Sequence, residues 1–142
     1  SYNRFEAFMS APTNTHWGRE NRTVGLRVPA SGPEARRVEN RISGADVNPY
    51  LAIAASLVCG YIGMAESIEP RAEYIGEGYE DRERPIPSTL TESIETFSKS
   101  EALKEYLGEG FVDTFASLKR SEYEHRSSVL SPWDVRFLMV NV

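Results

Sequence analysis

The sequence predicts an α+β domain, with a pair of antiparallel strands in its first third and a helical region from there to the end. Three observations predict it. Two strand-like runs, Thr23 to Val28 and Arg36 to Ile42, flank a turn rich in Ser, Gly and Pro from Ala30 to Ala35. An Asn-Pro pair at 48–49 then opens a long apolar run. Beyond residue 87, capping residues and glycines cut the chain into helical lengths. At 142 residues the chain has the length of one domain and can bury a sizeable core.

In order, residues 1–20 carry few periodic signals, and Ala11-Pro12-Thr13-Asn14-Thr15 is a loop by composition. Trp17-Gly18 suits either stacking on a flat ligand or core packing, the second being commoner. His16 has no metal-type partner at helical or hairpin spacing and reads as a loop histidine. The first strand ends at Pro29. Gly25 permits a bulge that would re-aim Arg22 or Arg27, whose odd spacing otherwise sets them on opposite faces. In the second strand alternation places Arg37, Glu39 and Arg41 on one face and Val38, Asn40 and Ile42 on the other. Ser43-Gly44-Ala45-Asp46 is a further turn.

The helix opened by Asn48-Pro49 runs to a point before Pro70 and is apolar almost all round, so it is expected to be the buried spine. Residues 47–65 are uncharged, which raises the question of a membrane span. Asn48, Pro49, Ser56, Gly60, Gly63 and the lack of basic flanks favour a core helix instead. Residues 71–87 form a long acidic surface loop, functional or mobile. Helices are expected at 91–99, 101–107 and 111–126. The third carries Phe111, Phe115, Leu118 and Tyr123 among charges, with His125 exposed at its end. Ser131-Pro132-Trp133-Asp134 opens a last short helix.

Charge is unevenly spread. Residues 1–46 carry seven arginines, no lysine and five acids, whereas residues 47–142 carry nine bases and sixteen acids. That balance points to a localised anion site and away from a nucleic-acid-binding protein, which would be basic overall. The single cysteine, Cys59, allows no internal disulfide, fits a reducing cytoplasmic setting and reads as a buried small hydrophobe. No signal-peptide pattern opens the chain, and Ser1-Tyr2-Asn3-Arg4-Phe5 reads like a cut through a longer protein. A strand face reading Arg-Glu-Arg is either a salt-bridged solvent face or a surface over which something polar lies.

The spacing of these residues carries a resemblance. Asn21-Arg22-x4-Arg27-Val28-Pro29, Arg36-Arg37-Val38-Glu39-x-Arg41 and Asp46-x-Asn48-Pro49-Tyr50 resemble the C-terminal part of the glutamine synthetase family in order, spacing and residue type. Ser1-Tyr2-Asn3-Arg4 is similar to the family's Asn-Ser-Tyr-Lys-Arg segment. Trp17 to Arg27, with the ending Ser131-Pro132-Trp133 to Asn141-Val142, looks like the branch that includes γ-glutamylputrescine and γ-glutamylpolyamine synthetases.

The resemblance implies that residues 1–142 are the C-terminal portion of a catalytic domain with a barrel-like antiparallel sheet, in a ring-shaped homo-oligomer with active sites between subunits. It implies an ATP-dependent ligase that phosphorylates the γ-carboxylate of glutamate and lets an amine displace the phosphate. Arg22, Arg27 and Arg37 would bind nucleotide phosphates. Arg41 would hold phosphoryl group and glutamate together, and Arg22 and Arg41 would be catalytic. Arg4 would contact glutamate. Glu39 would be a ligand of Mg²⁺ or Mn²⁺. Permanently charged, planar guanidinium groups suit phosphoryl transfer, and hard divalent cations favour carboxylate oxygen.

Glu34 stands where many members carry a lysine, so no phosphate contact is assigned to it. The surroundings of Tyr79 do not match the adenylylated tyrosine of some bacterial members, and that regulation is not carried over. In glutamine synthetases a glutamate precedes an Ala-Pro pair; here Ser10 precedes Ala11-Pro12. A neutral, smaller serine leaves room for a carbon chain on the attacking nitrogen, so a primary amine or polyamine is expected in place of ammonia. Glutamine synthetase proper, using ammonia, is the alternative. A non-catalytic relative is disfavoured by the intact set Arg4, Arg22, Arg27, Arg37, Glu39 and Arg41. A nucleic-acid module is weaker still, and no membrane role is expected.

Overall fold

A computed structural model describes residues 2–5, 9–79, 81, 83 and 85–139, and the chain divides into two units, residues 1–89 and 90–142. The architecture is α+β, as expected.

In the first unit, β1 (Trp17–Arg19), β2 (Leu26–Val28) and β3 (Glu39–Asn40) form one sheet in the order β1-β2-β3. The antiparallel pairing of the two expected strands is present: Leu26 opposes Asn40 and Arg27 opposes Glu39. Both strands are shorter than expected. Thr23 to Gly25 leave the strand because the Asn21 side chain accepts from the Thr23 backbone N–H (2.9 Å) and hydroxyl (2.7 Å), a local turn that competes with the ladder. Residues 33–35 form a 3-10 turn begun by Pro33. Strand β1 was not anticipated, and it pairs with β2 in parallel. Gly25 marks a close approach, since a Cβ there would lie 2.6 Å from the Asn14 carbonyl oxygen.

The loop Ala11 to Asn14 is buried and forms the core of this unit together with Val24 and Ile86. Asn14 is fully buried, and its amide donates to the carbonyls of Thr23 (3.0 Å) and Gly78 (2.8 Å). The described residues between 71 and 87 are correspondingly a strap packed on the unit. The Tyr74 N–H donates to Trp17 (2.9 Å), Ile86 N–H to Thr13 (3.3 Å), and Thr13 hydroxyl to the Tyr79 carbonyl (3.0 Å). His16 is no free loop residue: it stacks on Tyr74 and faces Asp81 at 3.4 Å. Asp81 is held below the usual carboxylate range by the Glu83 backbone N–H first, and then by His16. Trp17 is tied into the strap by its indole N–H, which donates to the Arg71 carbonyl (2.7 Å).

Helix α1 (Pro49–Ala65) begins where the Asn-Pro signal places it, and the Asn48 side chain accepts from the N–H groups of Tyr50 (3.0 Å) and Leu51 (3.3 Å). It is not a buried spine. None of its residues is buried; Tyr50, Ile53, Leu57, Tyr61 and Met64 are exposed, and so is Cys59. An all-round apolar pattern shows that a helix needs cover, while burial depends on what lies over it.

In the second unit, α2 (Leu90–Ser98), α3 (Glu101–Leu107) and α4 (Glu109–Ser127) match the expected helices within two residues at each end. Ser100 caps α3 by accepting from Leu103 N–H (3.3 Å), and Gly108, at φ 87°, separates α3 from α4. Ile94, Val112 and Ala116 are its buried residues among those described, flanked by the Phe97–Phe115 and Phe111–Phe115 ring contacts. Phe111, Leu118 and Tyr123 are exposed, so the buried stripe of α4 runs through its smaller residues. A π-helical turn at Asp134–Leu138 follows the Ser131 cap. The expectations for Ser1 and for residues 140–142 fall outside the described residues. Among the described residues no helix is long and apolar enough to cross a membrane.

Candidate active site

The β2–β3 register sets Arg27 directly opposite Glu39. Arg27 donates from one terminal nitrogen to Glu39 (2.9 Å) and from the other to Glu20 (3.0 Å). Arg37 reaches the second oxygen of Glu39 at 3.5 Å and donates to the Ala35 carbonyl (3.1 Å). The Arg27 side chain is only 11% exposed and that of Glu39 29%. Glu39 is held below the usual carboxylate range, by the Arg27 hydrogen bond first and then by the charges of Arg27, Arg37 and Arg41. Arg27 is correspondingly raised, by Glu39 first and Glu20 second. A lowered native pKa makes this pairing fully present above the unfolded carboxylate value and lost only as pH falls through the native one. Glu39 is therefore ionised throughout the neutral range.

Arg41 donates to the Ser10 carbonyl (2.9 Å), and Arg4 donates in turn to the Ile42 carbonyl. Arg4 and Ser10 are thus each tied to the residues that follow β3. Ser10 takes φ 65°, a conformation uncommon for a residue with a Cβ, just before buried Ala11 and Pro12. Arg4 lies over the Phe5 ring at 4.5 Å.

Of the six residues singled out from sequence, the structure joins Arg27, Arg37 and Glu39 by ion pairs. Arg41 lies near enough to act on Glu39 through its charge, and Arg4 lies at the same strand end through Ile42. Arg22 sits exposed in the turn after Asn21 and joins none of these pairs. Sequence reasoning missed Glu20, whose carboxylate accepts from both Arg27 and the Ala30 backbone N–H. The Arg-Glu-Arg face is therefore salt-bridged and also gathers three guanidinium groups at one end of the sheet.

Among the described residues no three His, Cys, Asp or Glu side chains gather into a metal-binding group. Glu39 offers two hard oxygens and partial exposure, which fits a single ligand of a divalent cation that takes its other ligands elsewhere.

This arrangement coincides with a known architecture. A solved structure described as "Apo GmaS without ligand" superposes with a TM-score of 0.79 at 27% identity, covering 97% of this chain and 32% of that one. The family model for the catalytic domain of glutamine synthetase matches residues 1–138. The chain belongs to the glutamine synthetase family. Among its relatives are type-1 glutamine synthetase 2 of Dictyostelium discoideum, 40% identical over 99% of this chain and 28% of that protein. Glutamate–isopropylamine ligase of a Pseudomonas species is 37% identical over 95% of this chain and 30% of that protein. Gamma-glutamylputrescine synthetase PuuA of Escherichia coli strain K12 is 33% identical over 99% and 30%. The chain thus spans under a third of the length of each of these relatives.

Proposed function

We propose that residues 1–142 are the C-terminal portion of the catalytic domain of a cytoplasmic, ATP-dependent ligase that joins glutamate to a primary amine or polyamine. The observation that carries the reading is the convergence of Arg27, Arg37 and Arg41 on Glu39 in a chain of this family. Arg22, Arg27 and Arg37 bind the phosphates of ATP. Arg41 spans the transferring phosphoryl group and glutamate, with Arg22 assisting, and Arg4 holds the glutamate. Glu39 contributes one ligand to Mg²⁺ or Mn²⁺. When bound, the cation neutralises charge on the phosphoryl oxygens. The γ-carboxylate oxygen of glutamate attacks the γ-phosphorus of ATP and ADP leaves. The amine nitrogen then attacks the acyl carbon, phosphate departs with that oxygen, and the nitrogen loses a proton. The guanidinium groups serve this chemistry by positioning and by charge stabilisation. The rest of the site comes from other parts of the full-length protein and from neighbouring subunits of a ring-shaped homo-oligomer.

The choice of amine over ammonia rests on Ser10. Its backbone is held by Arg41, which sets position 10 beside the guanidinium assigned to the reacting groups. A neutral side chain there places no carboxylate against the nucleophile and leaves space for its carbon chain. The relatives named above support both readings, since they include an amine ligase and a glutamine synthetase. With ATP and glutamate saturating, kcat/KM of the full-length protein for putrescine, spermine or ethanolamine is expected to exceed that for ammonium by at least about tenfold. A clear advantage for ammonium over every amine would restore the glutamine synthetase reading.

A further inference from the structure

Arg27 is held from two sides, and only one of its partners lies on the sheet. Glu39 faces it across the strand pair, while Glu20 follows the end of β1. Glu20 is itself fixed at three points. Its backbone N–H donates to the Val28 carbonyl (3.1 Å), one carboxylate oxygen accepts from the Ala30 N–H, and the other accepts from Arg27 (3.0 Å). Its backbone sits at φ 53°, a conformation that side chains with a Cβ rarely adopt without surrounding constraint. The result is a rigid carboxylate on the side of Arg27 away from Glu39. The Arg27 Nε is buried with no partner among the described residues, so the guanidinium keeps donor capacity in reserve.

We infer that Glu20 is a positioning residue. It anchors one nitrogen of Arg27 so that the other can pass from Glu39 to an incoming phosphate without the side chain leaving its place. The inference rests on the reading of Arg27 as a phosphate ligand. In the structure Arg27 and Arg37 pair with Glu39, and Glu39 is the carboxylate assigned to the cation. Cation and nucleotide must therefore separate these pairs. A guanidinium tied only to Glu39 would lose its sole anchor at that moment and pay rotamer entropy to be recaptured. One anchored by Glu20 keeps its orientation throughout.

The test is a double-mutant cycle in the full-length protein. The variants are Glu20→Ala, Arg27→Ala and the pair, and the readout is the Kd for a non-hydrolysable ATP analogue with Mg²⁺, measured by calorimetry. Glu20→Ala is expected to weaken binding about tenfold in the wild-type background and to add nothing once Arg27 is gone. Glu20→Gln retains an acceptor for the Ala30 N–H and is expected to lose about threefold, so an effect survives even where Glu20→Ala lowers the Tm. An equal loss with and without Arg27 would mean that Glu20 acts only through its hold on the Val28 and Ala30 backbone, and would overturn the inference. So would unchanged affinity in both Glu20 variants. If Arg27→Ala itself left nucleotide affinity unchanged, the phosphate role of Arg27 would fail and this inference with it, a result distinct from the other two.

Discussion

Glu39→Ala in the full-length protein is expected to lower metal-dependent turnover by about a thousandfold or more, because a catalytic cation contributes several kcal/mol of charge stabilisation. The carboxylate also balances two guanidinium groups, at 2.9 Å and 3.5 Å. Its removal leaves Arg27, 11% exposed, with Glu20 as its remaining partner. Some loss of stability therefore accompanies the loss of activity, and Glu39→Gln is the companion variant. The amide keeps the shape and an acceptor for Arg27 and removes the charge that a hard cation requires. Both variants should be folded by circular dichroism and both inactive. Near-normal ATP-dependent phosphate release from folded Glu39→Ala at ordinary Mg²⁺ would rule out the metal role.

Residues 1–142 on their own are expected to show no ligase activity at all. Glu39 is the one carboxylate of the Arg27–Arg37–Arg41 cluster assigned to a cation, and no metal-binding group of three side chains exists among the described residues. The apolar exposure of α1, through Tyr50, Leu57 and Met64, and of Phe137, Leu138 and Met139 near the end is what a surface requiring further cover looks like. The measurement is ATP hydrolysis by this segment, purified to remove contaminating ATPases, with glutamate and amine each present and omitted. Hydrolysis that depends on both would contradict the proposal that other regions complete the site.

Much of this was legible in the residues. Asn48-Pro49 fixes the start of α1 because capping and proline geometry are local, and Gly108 divides α3 from α4 for the same reason. The antiparallel arrangement of the two strands was legible, but the register that sets Arg27 opposite Glu39 was not, since register depends on which residues the turns release. The ladder shortened at Thr23 because the Asn21 side chain offered the backbone an alternative partner. Strand β1 and the core role of Asn14 were hidden, because their partners, Leu26 and Gly78, lie 9 and 64 positions away along the chain. His16 looked isolated for the same reason, its partner Asp81 lying on the strap. Glu20 was hidden because its role depends on a backbone kink that no residue type there announces. The burial assigned to α1 and Cys59 failed because hydrophobicity predicts a need for cover, and cover is supplied by other elements.

The proposed reaction transfers a phosphoryl group to the γ-carboxylate of glutamate before the amine attacks. It is tested most directly by supplying the full-length protein with ATP, putrescine and glutamate labelled with ¹⁸O in its γ-carboxylate, and analysing the released phosphate by mass spectrometry. One ¹⁸O is expected in each phosphate released and one in the amide, because the carboxylate oxygen that attacks phosphorus leaves with it. Phosphate free of label, formed in step with the amide, would show that the carboxylate never carried the phosphoryl group and would rule out the acyl-phosphate route.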